Sequence, residues 1–169
     1  MTTLRVIRHC FVAVCALGFV PGAQAGDKYL VKEVPFVEPQ SPGPDQTLIV
    51  VLREKSSFAG AQKFAIIDND TVMGVLTPGT FTYFTVPSGQ HEITGYVSPS
   101  PLVHYRVMPS PGKTVYLFIK VGYTSGLFMD VIDEAQARQL MSQFKQTDIG
   151  LKDQKAKMNY KDYYDKLYQ

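Results

Sequence analysis

Cysteine is nearly missing from this chain: there are two, Cys10 and Cys15, and both lie within the first 25 residues. Those residues read as an export signal. Arg5, Arg8 and His9 form a basic start, Cys10 to Val20 is an apolar run, and Ala23-Gln24-Ala25 supplies small residues for cleavage. The expected mature chain, from Gly26, then holds no cysteine, which excludes a disulfide framework, a thiol nucleophile and a zinc thiolate site. A charge surplus is missing too. The chain has 17 Lys+Arg and 15 Asp+Glu, and Arg5 and Arg8 leave with the signal, so 15 of each remain. With no basic excess to neutralise phosphates, nucleic-acid binding loses its electrostatic footing. Long hydrophobic runs are also lacking, because Pro21-Gly22 stops the signal's run well short of the roughly 20 apolar residues a spanning helix needs. Cys15 follows Val12-Ala13-Val14 and resembles a lipobox, but Val14 stands where a small residue is normal, so cleavage after Ala25 is the expectation.

Regular pattern is scarce from residue 26 to 46, where Pro35, Pro39, Pro42 and Pro44 surround Gly43. Prolines so spaced favour extended backbone and prevent a helix, so this segment is expected to be a tether or an arm hugging the surface. From Thr47 the pattern is β. Leu48 to Leu52 is a continuous apolar run of a buried strand, ending in Arg53-Glu54-Lys55. Lys63 to Asp68 and Thr71 to Leu76 follow, joined by the polar turn Asp68-Asn69-Asp70. Pro78-Gly79 feeds Phe81 to Val86, with Phe81, Tyr83 and Thr85 on one face and Thr82, Phe84 and Val86 on the other. Pro87-Ser88-Gly89 leads to Gln90 to Val97, then come Leu102 to Met108 and, after Pro111-Gly112, the long strand Thr114 to Tyr123. Its Val115, Leu117, Ile119 and Val121 share a face opposite Tyr116, Phe118 and Lys120, and a short strand, Phe128 to Ile132, closes the series. Strands at this turn spacing predict a mainly β fold, a single antiparallel β-sandwich of transthyretin or immunoglobulin-like type over residues 47–132.

One or two C-terminal helices are expected after it. Asp133 to Gln136 resembles a capping box, and Ala137, Leu140, Met141 and Phe144 fall at helical spacing, which predicts a capping helix over 133–146. A second amphipathic pattern, over 149–169, gathers Tyr160, Tyr163, Tyr164 and Leu167 on one face.

Thr47 to Phe144 resembles the bacterial envelope family of the domain of unknown function 2846. The features that carry the resemblance are Leu52-Arg53 before a Ser/Phe/Gly loop, Gly74 and Gly79, Phe81 and Tyr83, Val86-Pro87-Ser88-Gly89-Gln90-His91, Pro111-Gly112-Lys113-Thr114-Val115-Tyr116, and Asp133-Glu134-Ala135. It implies an exported β-sandwich, often a lipoprotein, related in style to the Pro-Glu-Gly-Ala surface-layer modules with their proline-glycine-histidine turn. It implies no activity. The chain departs from it by lacking a convincing lipobox and by adding the tyrosine-rich tail.

No convergent catalytic set is apparent. His91 and His104 are the histidines left after the signal, and a metal site would want them beside carboxylates such as Glu92 or Asp68. Beside a Pro/Gly turn, His91 is better placed to hydrogen-bond the turn backbone. Ser88 and Ser125 each precede a glycine, but hairpin-like surroundings are not a nucleophile elbow. Asp68, Asp70 and Thr71 lack the later ligands of a calcium loop, and Gly122 to Gly126 is followed by no helix start that would cradle phosphate. The sequence therefore predicts a non-enzymatic structural or interaction module, without catalytic residues, cofactor or metal, in the periplasm or at the outer membrane. Its expected partner is another cell-envelope protein, bound through Tyr160, Tyr163, Tyr164 and Leu167, because tyrosine is enriched among interface anchors. Peripheral membrane contact and oligomeric state stay open. The alternatives are a periplasmic small-ligand or peptide carrier with Phe81, Tyr83, Phe84 and Phe118 as pocket wall, and a histidine-dependent metal protein or hydrolase.

Overall fold

A computed structural model describes residues 29–56, 62–69, 71–96, 103–122 and 126–151. The chain is mainly β, with ten strands in two sheets and one helix among these residues. In chain order the elements are β1 (Tyr29–Val34), β2 (Gln46–Arg53), β3 (Phe64–Asp68), β4 (Thr71–Leu76), β5 (Thr80–Pro87), β6 (His91–Tyr96), β7 (Val103–Val107), β8 (Thr114–Gly122), β9 (Gly126–Ile132), α1 (Glu134–Met141) and β10 (Lys145–Leu151). The larger sheet runs β1-β10-β5-β2-β8-β9 and the smaller β4-β3-β6-β7. Pairing is antiparallel except for β2 with β8 and the short contact of β10 with β5.

The strand β2 is central because its apolar run has no polar face to offer water, and a strand covered on both sides is where such a run is stable. Ile49 and Val51 join Phe84, Val86, Leu117 and Ile119 against Phe64, Ile66, Leu76, Ile93 and Val107 of the smaller sheet. On the opposite face, Leu48, Val50 and Leu52 join Phe81 and Phe118 beneath Ala137 and Met141 of the helix. The strict alternation of β5 and β8 does the same work: Phe81, Tyr83, Tyr116 and Phe118 face the helix, while Phe84, Val86, Val115, Leu117, Ile119 and Val121 face the other sheet.

All three proline-glycine turns carry the chain from one sheet to the other: Pro78-Gly79 joins β4 to β5, Pro87 to Gly89 joins β5 to β6, and Pro111-Gly112 joins β7 to β8. They are corners and not hairpins, so they set how the sheets stack and leave strand register to the ladders. Proline fixes the first central position, and Gly79 and Gly112 take the second at φ 71°, where a side chain is strained. The tight polar turn after Asp68 is a true hairpin end, with Asn69 at φ 51°.

At β4, Gly74 allows the two sheets to close. A Cβ there would lie 2.6 Å from Thr82 Cγ2. Gly74→Ala is expected to cost about 1–3 kcal/mol by overpacking. Thr82→Ser in the same chain removes that methyl and should restore most of the loss in a urea unfolding series; equal stability of the single and double variants would show that the contact is not the cause.

Two elements depart from the sequence reading. The expected arm begins as a strand, β1, which pairs over its whole length with β10, from Tyr29 opposite Leu151 to Val34 opposite Gln146. The expected helix over 133–146 starts as predicted, with the Asp133 side chain accepting from Gln136 N at 2.8 Å, but its last residue is Met141. Ser142 caps it, its N donating to Arg138 O and its Oγ to Gln139 O, and Lys145 N then donates to Gly79 O. Gln143 and Phe144 N both turn back to Leu140 O, and from Lys145 onward the donors leave the helix, first for the β4–β5 corner and then for the β1 ladder that starts at Gln146. Phe144 still packs below the helix, so the apolar spacing was sound although the helix is shorter. Likewise residues 149–151 of the expected terminal helix belong to β10.

Candidate functional site

Turn and hairpin meet at His91. Its Nδ1 lies 2.9 and 3.0 Å from the two Asp68 carboxylate oxygens, and its Nε2 lies 2.8 Å from Pro87 O. Both residues are buried. Each ring nitrogen faces an acceptor, so a ring carrying both protons donates in both directions. The bond to Pro87 O is the turn contact expected of His91; the Asp68 carboxylate, named in the sequence only as a co-ligand for a metal, meets the ring directly. Asn69 completes the corner, its N donating to Glu92 O and its Oδ1 accepting from Glu92 N.

His104 is built differently. It sits on the outer face of the smaller sheet, half exposed, with Nδ1 3.0 Å from Thr94 Oγ1 and 3.1 Å from Glu92 Oε1. Strand alternation puts His91 with core-facing Ile93 and puts His104 opposite Thr94, so the sheet separates the two histidines. Among the described residues no three His, Cys, Asp or Glu side chains converge on a point. Ser88 lies in the Pro87 turn, where its N donates to Asp45 O and its buried hydroxyl finds no hydrogen-bond partner among the described residues. Both nitrogens of His91 are engaged elsewhere, so this corner holds no Ser-His couple. Ser125 lies outside the described residues.

Arg53 is a buried residue the sequence reading placed at a strand end with no further duty. It is 0% exposed. Its Nη1 donates to Gln62 O at 2.6 Å and Leu76 O at 3.0 Å, and the guanidinium lies 3.6 Å from the Phe64 ring centre. Burial lowers its pKa to about 10, so it keeps its charge at neutral pH. Its own carbonyl accepts from Gly79 N, so one residue ties β2 to the end of β4 and to the proline-glycine corner.

A crevice of about 170 Å³ opens between the proline segment, α1 and the helix-side face of the larger sheet. Its walls include Glu38, Pro39, Leu48, Tyr116, Glu134 and Arg138. Arg138 spans it, with Nε on Glu134 Oε1 at 2.8 Å and Nη1 on Glu38 Oε1. These two carboxylates hold the guanidinium above its ordinary range. The Tyr116 hydroxyl is also pushed up, first by burial and then by Glu134 and Glu38, against the opposing pull of Arg138. Beside the crevice, Val37 N donates to Gln146 Oε1 at 2.8 Å, and the rings of Phe36 and Phe81 stand 6.0 Å apart. The aromatic residues expected to form one pocket wall are divided: Phe81, Tyr83 and Phe118 lie in the helix-side cluster and Phe84 in the core between the sheets.

The residues expected to bind a partner, Tyr160, Tyr163, Tyr164 and Leu167, lie outside the described residues. Their segment departs from the end of β10, and Leu151 is opposite Tyr29, so the described chain begins and ends at one point on the sheet edge. No family model matches the chain, and no curated protein or solved structure matches it.

Proposed function

We propose that this chain is an exported, non-enzymatic envelope module whose folded core presents two terminal segments to a partner protein. The observation that carries this reading is the β1–β10 ribbon, which sets Tyr29, the first described residue, opposite Leu151, the last. A domain with both extensions at a single edge is suited to being held and to holding something else there. On this reading residues 1–25 are removed, the two sheets form a sandwich of the transthyretin or immunoglobulin-like type, and the chain is a member of the domain of unknown function 2846 family. Tyr160, Tyr163, Tyr164 and Leu167 form the anchoring face of a terminal helix that packs on another cell-envelope protein.

Two measurements test it. Sequencing the N-terminus of chain recovered from the periplasm should give Gly26 first. Pull-down from envelope extract should lose its partner when residues 152–169 are removed; the cut belongs there because residues 149–151 are part of β10. A retained N-terminus would overturn the export reading, and equal recovery from both chains would overturn the tail.

A further inference from the structure

The segment from β1 through the proline stretch lies on the domain as a strap, and it is held mainly by groups at the surface. β1 is an outer strand of its sheet and hydrogen-bonds to β10. Beyond the ladder, its described ties are the Phe36 ring against Phe81, the Val37 N–H on Gln146 Oε1, and two ion pairs between exposed side chains, Lys145 with Glu33 at 2.7 Å and Arg138 with Glu38. Ion pairs of that kind contribute little to stability. Phe36 and Val37 remain 55% and 56% exposed, and the crevice beneath Glu38 and Pro39 shows that the strap is not packed closely onto the helix. From Lys32 to Asp45, among the described residues, no side chain of the strap belongs to the core between the sheets. Such an element opens without unfolding the rest.

Opening leaves β10 unpaired along its whole ladder, since its pairing with β5 covers just Lys145 and Gln146. An unpaired edge of that length is a template for another strand. The segment that fits this edge is the strap itself, with β1 in register along β10, Glu33 matched to Lys145, and Glu38 matched to Arg138 on the neighbouring helix. We infer that a second copy of this chain supplies it: two copies exchange β1 and the strap, each filling the other's β10 edge.

The hinge suits this. In the closed chain the strap turns into β2 at Gly43 to Gln46, where Gln46 N donates to Gly43 O at 3.0 Å. Pro44 and Asp45 at its centre suit the turn, while the residues preceding Pro39, Pro42 and Pro44 are biased toward extended backbone, so the rest of the segment is already close to straight. Straightened as a polyproline helix, the eleven residues from 35 to 45 span roughly 34 Å at about 3.1 Å each, well beyond the ~14 Å radius of gyration of a domain this size. They reach a neighbour's edge. The inference needs neither export nor the tyrosine tail, so it stands or falls apart from them.

Charge reversal tests it. One chain carries E33K and E38R; another carries R138E and K145E. Each alone repels its own strap and should run at monomer mass, with the cooperative unfolding of the core retained. Mixed in equal amounts, they match in both directions and should form a species of twice the mass containing one of each. A mixture that stays the sum of two monomers, or variants that dimerise alone as readily as together, would overturn the exchange. A second measurement keeps the native charges. With C10S and C15S, a cysteine pair at Lys32 and Asp148 should give an interchain disulfide whose share rises with protein concentration before oxidation. An intrachain bond at every concentration would refute it.

Discussion

Arg53→Ala is expected to cost about 3–5 kcal/mol, a large part of the stability of a domain this size. Three losses combine at one position. The carbonyls of Leu76, buried, and Gln62, partly buried, lose a charged donor, the Phe64 ring loses the cation above it, and the space the side chain filled is left empty. Arg53→Met separates these effects because it keeps the stem and much of the packing. It should fall between the two, at about 2 kcal/mol, the cost of leaving buried carbonyls unpaired. Urea unfolding of the three chains gives the ordering. If Arg53→Ala unfolds within about 1 kcal/mol of the parent, the guanidinium is not what ties β2 to the end of β4.

His91→Ala is expected to cost a similar ~3–5 kcal/mol, because it leaves a buried carboxylate without its hydrogen-bonding partner. Here the survivor is the Asp68 carboxylate, and Pro87 O loses its donor as well. The pair as a whole is a weaker contributor than either single loss suggests. Asp68→Asn with His91→Gln keeps neutral polar groups facing each other, and this double variant should recover more than half of the loss from His91→Ala. If the double variant is no more stable than His91→Ala, the cost lies in the turn contact with Pro87 and not in the carboxylate. The interaction is thereby assigned to the folding of the corner between β5 and β6.

The central part of the chain was legible because its signals are local and redundant. The eight strands from β2 to β9 each carry apolar alternation or an unbroken apolar run bounded by turn residues, and the face assignments of Phe81 to Val86 and of Val115 to Val121 follow directly from the pleat. The helix start was equally readable, since Asp133 and Gln136 stand at cap spacing. What the sequence hid depends on partners far along the chain. β1 and β10 pair across more than a hundred residues, and the polar stretch Lys145 to Asp148 carries no alternation that names a strand. The proline-glycine turns were recognisable as turns, but whether a turn makes a hairpin or a corner between sheets is decided by which strands it joins. Arg53 looked like the charged end of a strand. Its burial comes from Phe64, Gln62 and Leu76 closing around it, and none of them is its neighbour in sequence. Asp68 was offered to the histidines only as a metal co-ligand, because the β3–β6 pairing that sets it against His91 is not local, whereas the turn contact of His91 was readable from its place after Pro87-Ser88-Gly89.

The pairing of β1 with β10 is the point on which the reading of both terminal segments turns, and cross-strand disulfide formation examines it most directly. Lys32 and Asp148 are opposite one another in the ladder and both are exposed. Opposed residues in an antiparallel pair have Cα atoms about 4.5–5.5 Å apart, within the range a disulfide bridges. In a chain carrying C10S and C15S, cysteines at 32 and 148 should oxidise readily under mild conditions, while the offset pair at 32 and 146 should stay largely reduced. Equal and slow oxidation of both pairs would mean that the two ends of the domain are not joined in this ribbon.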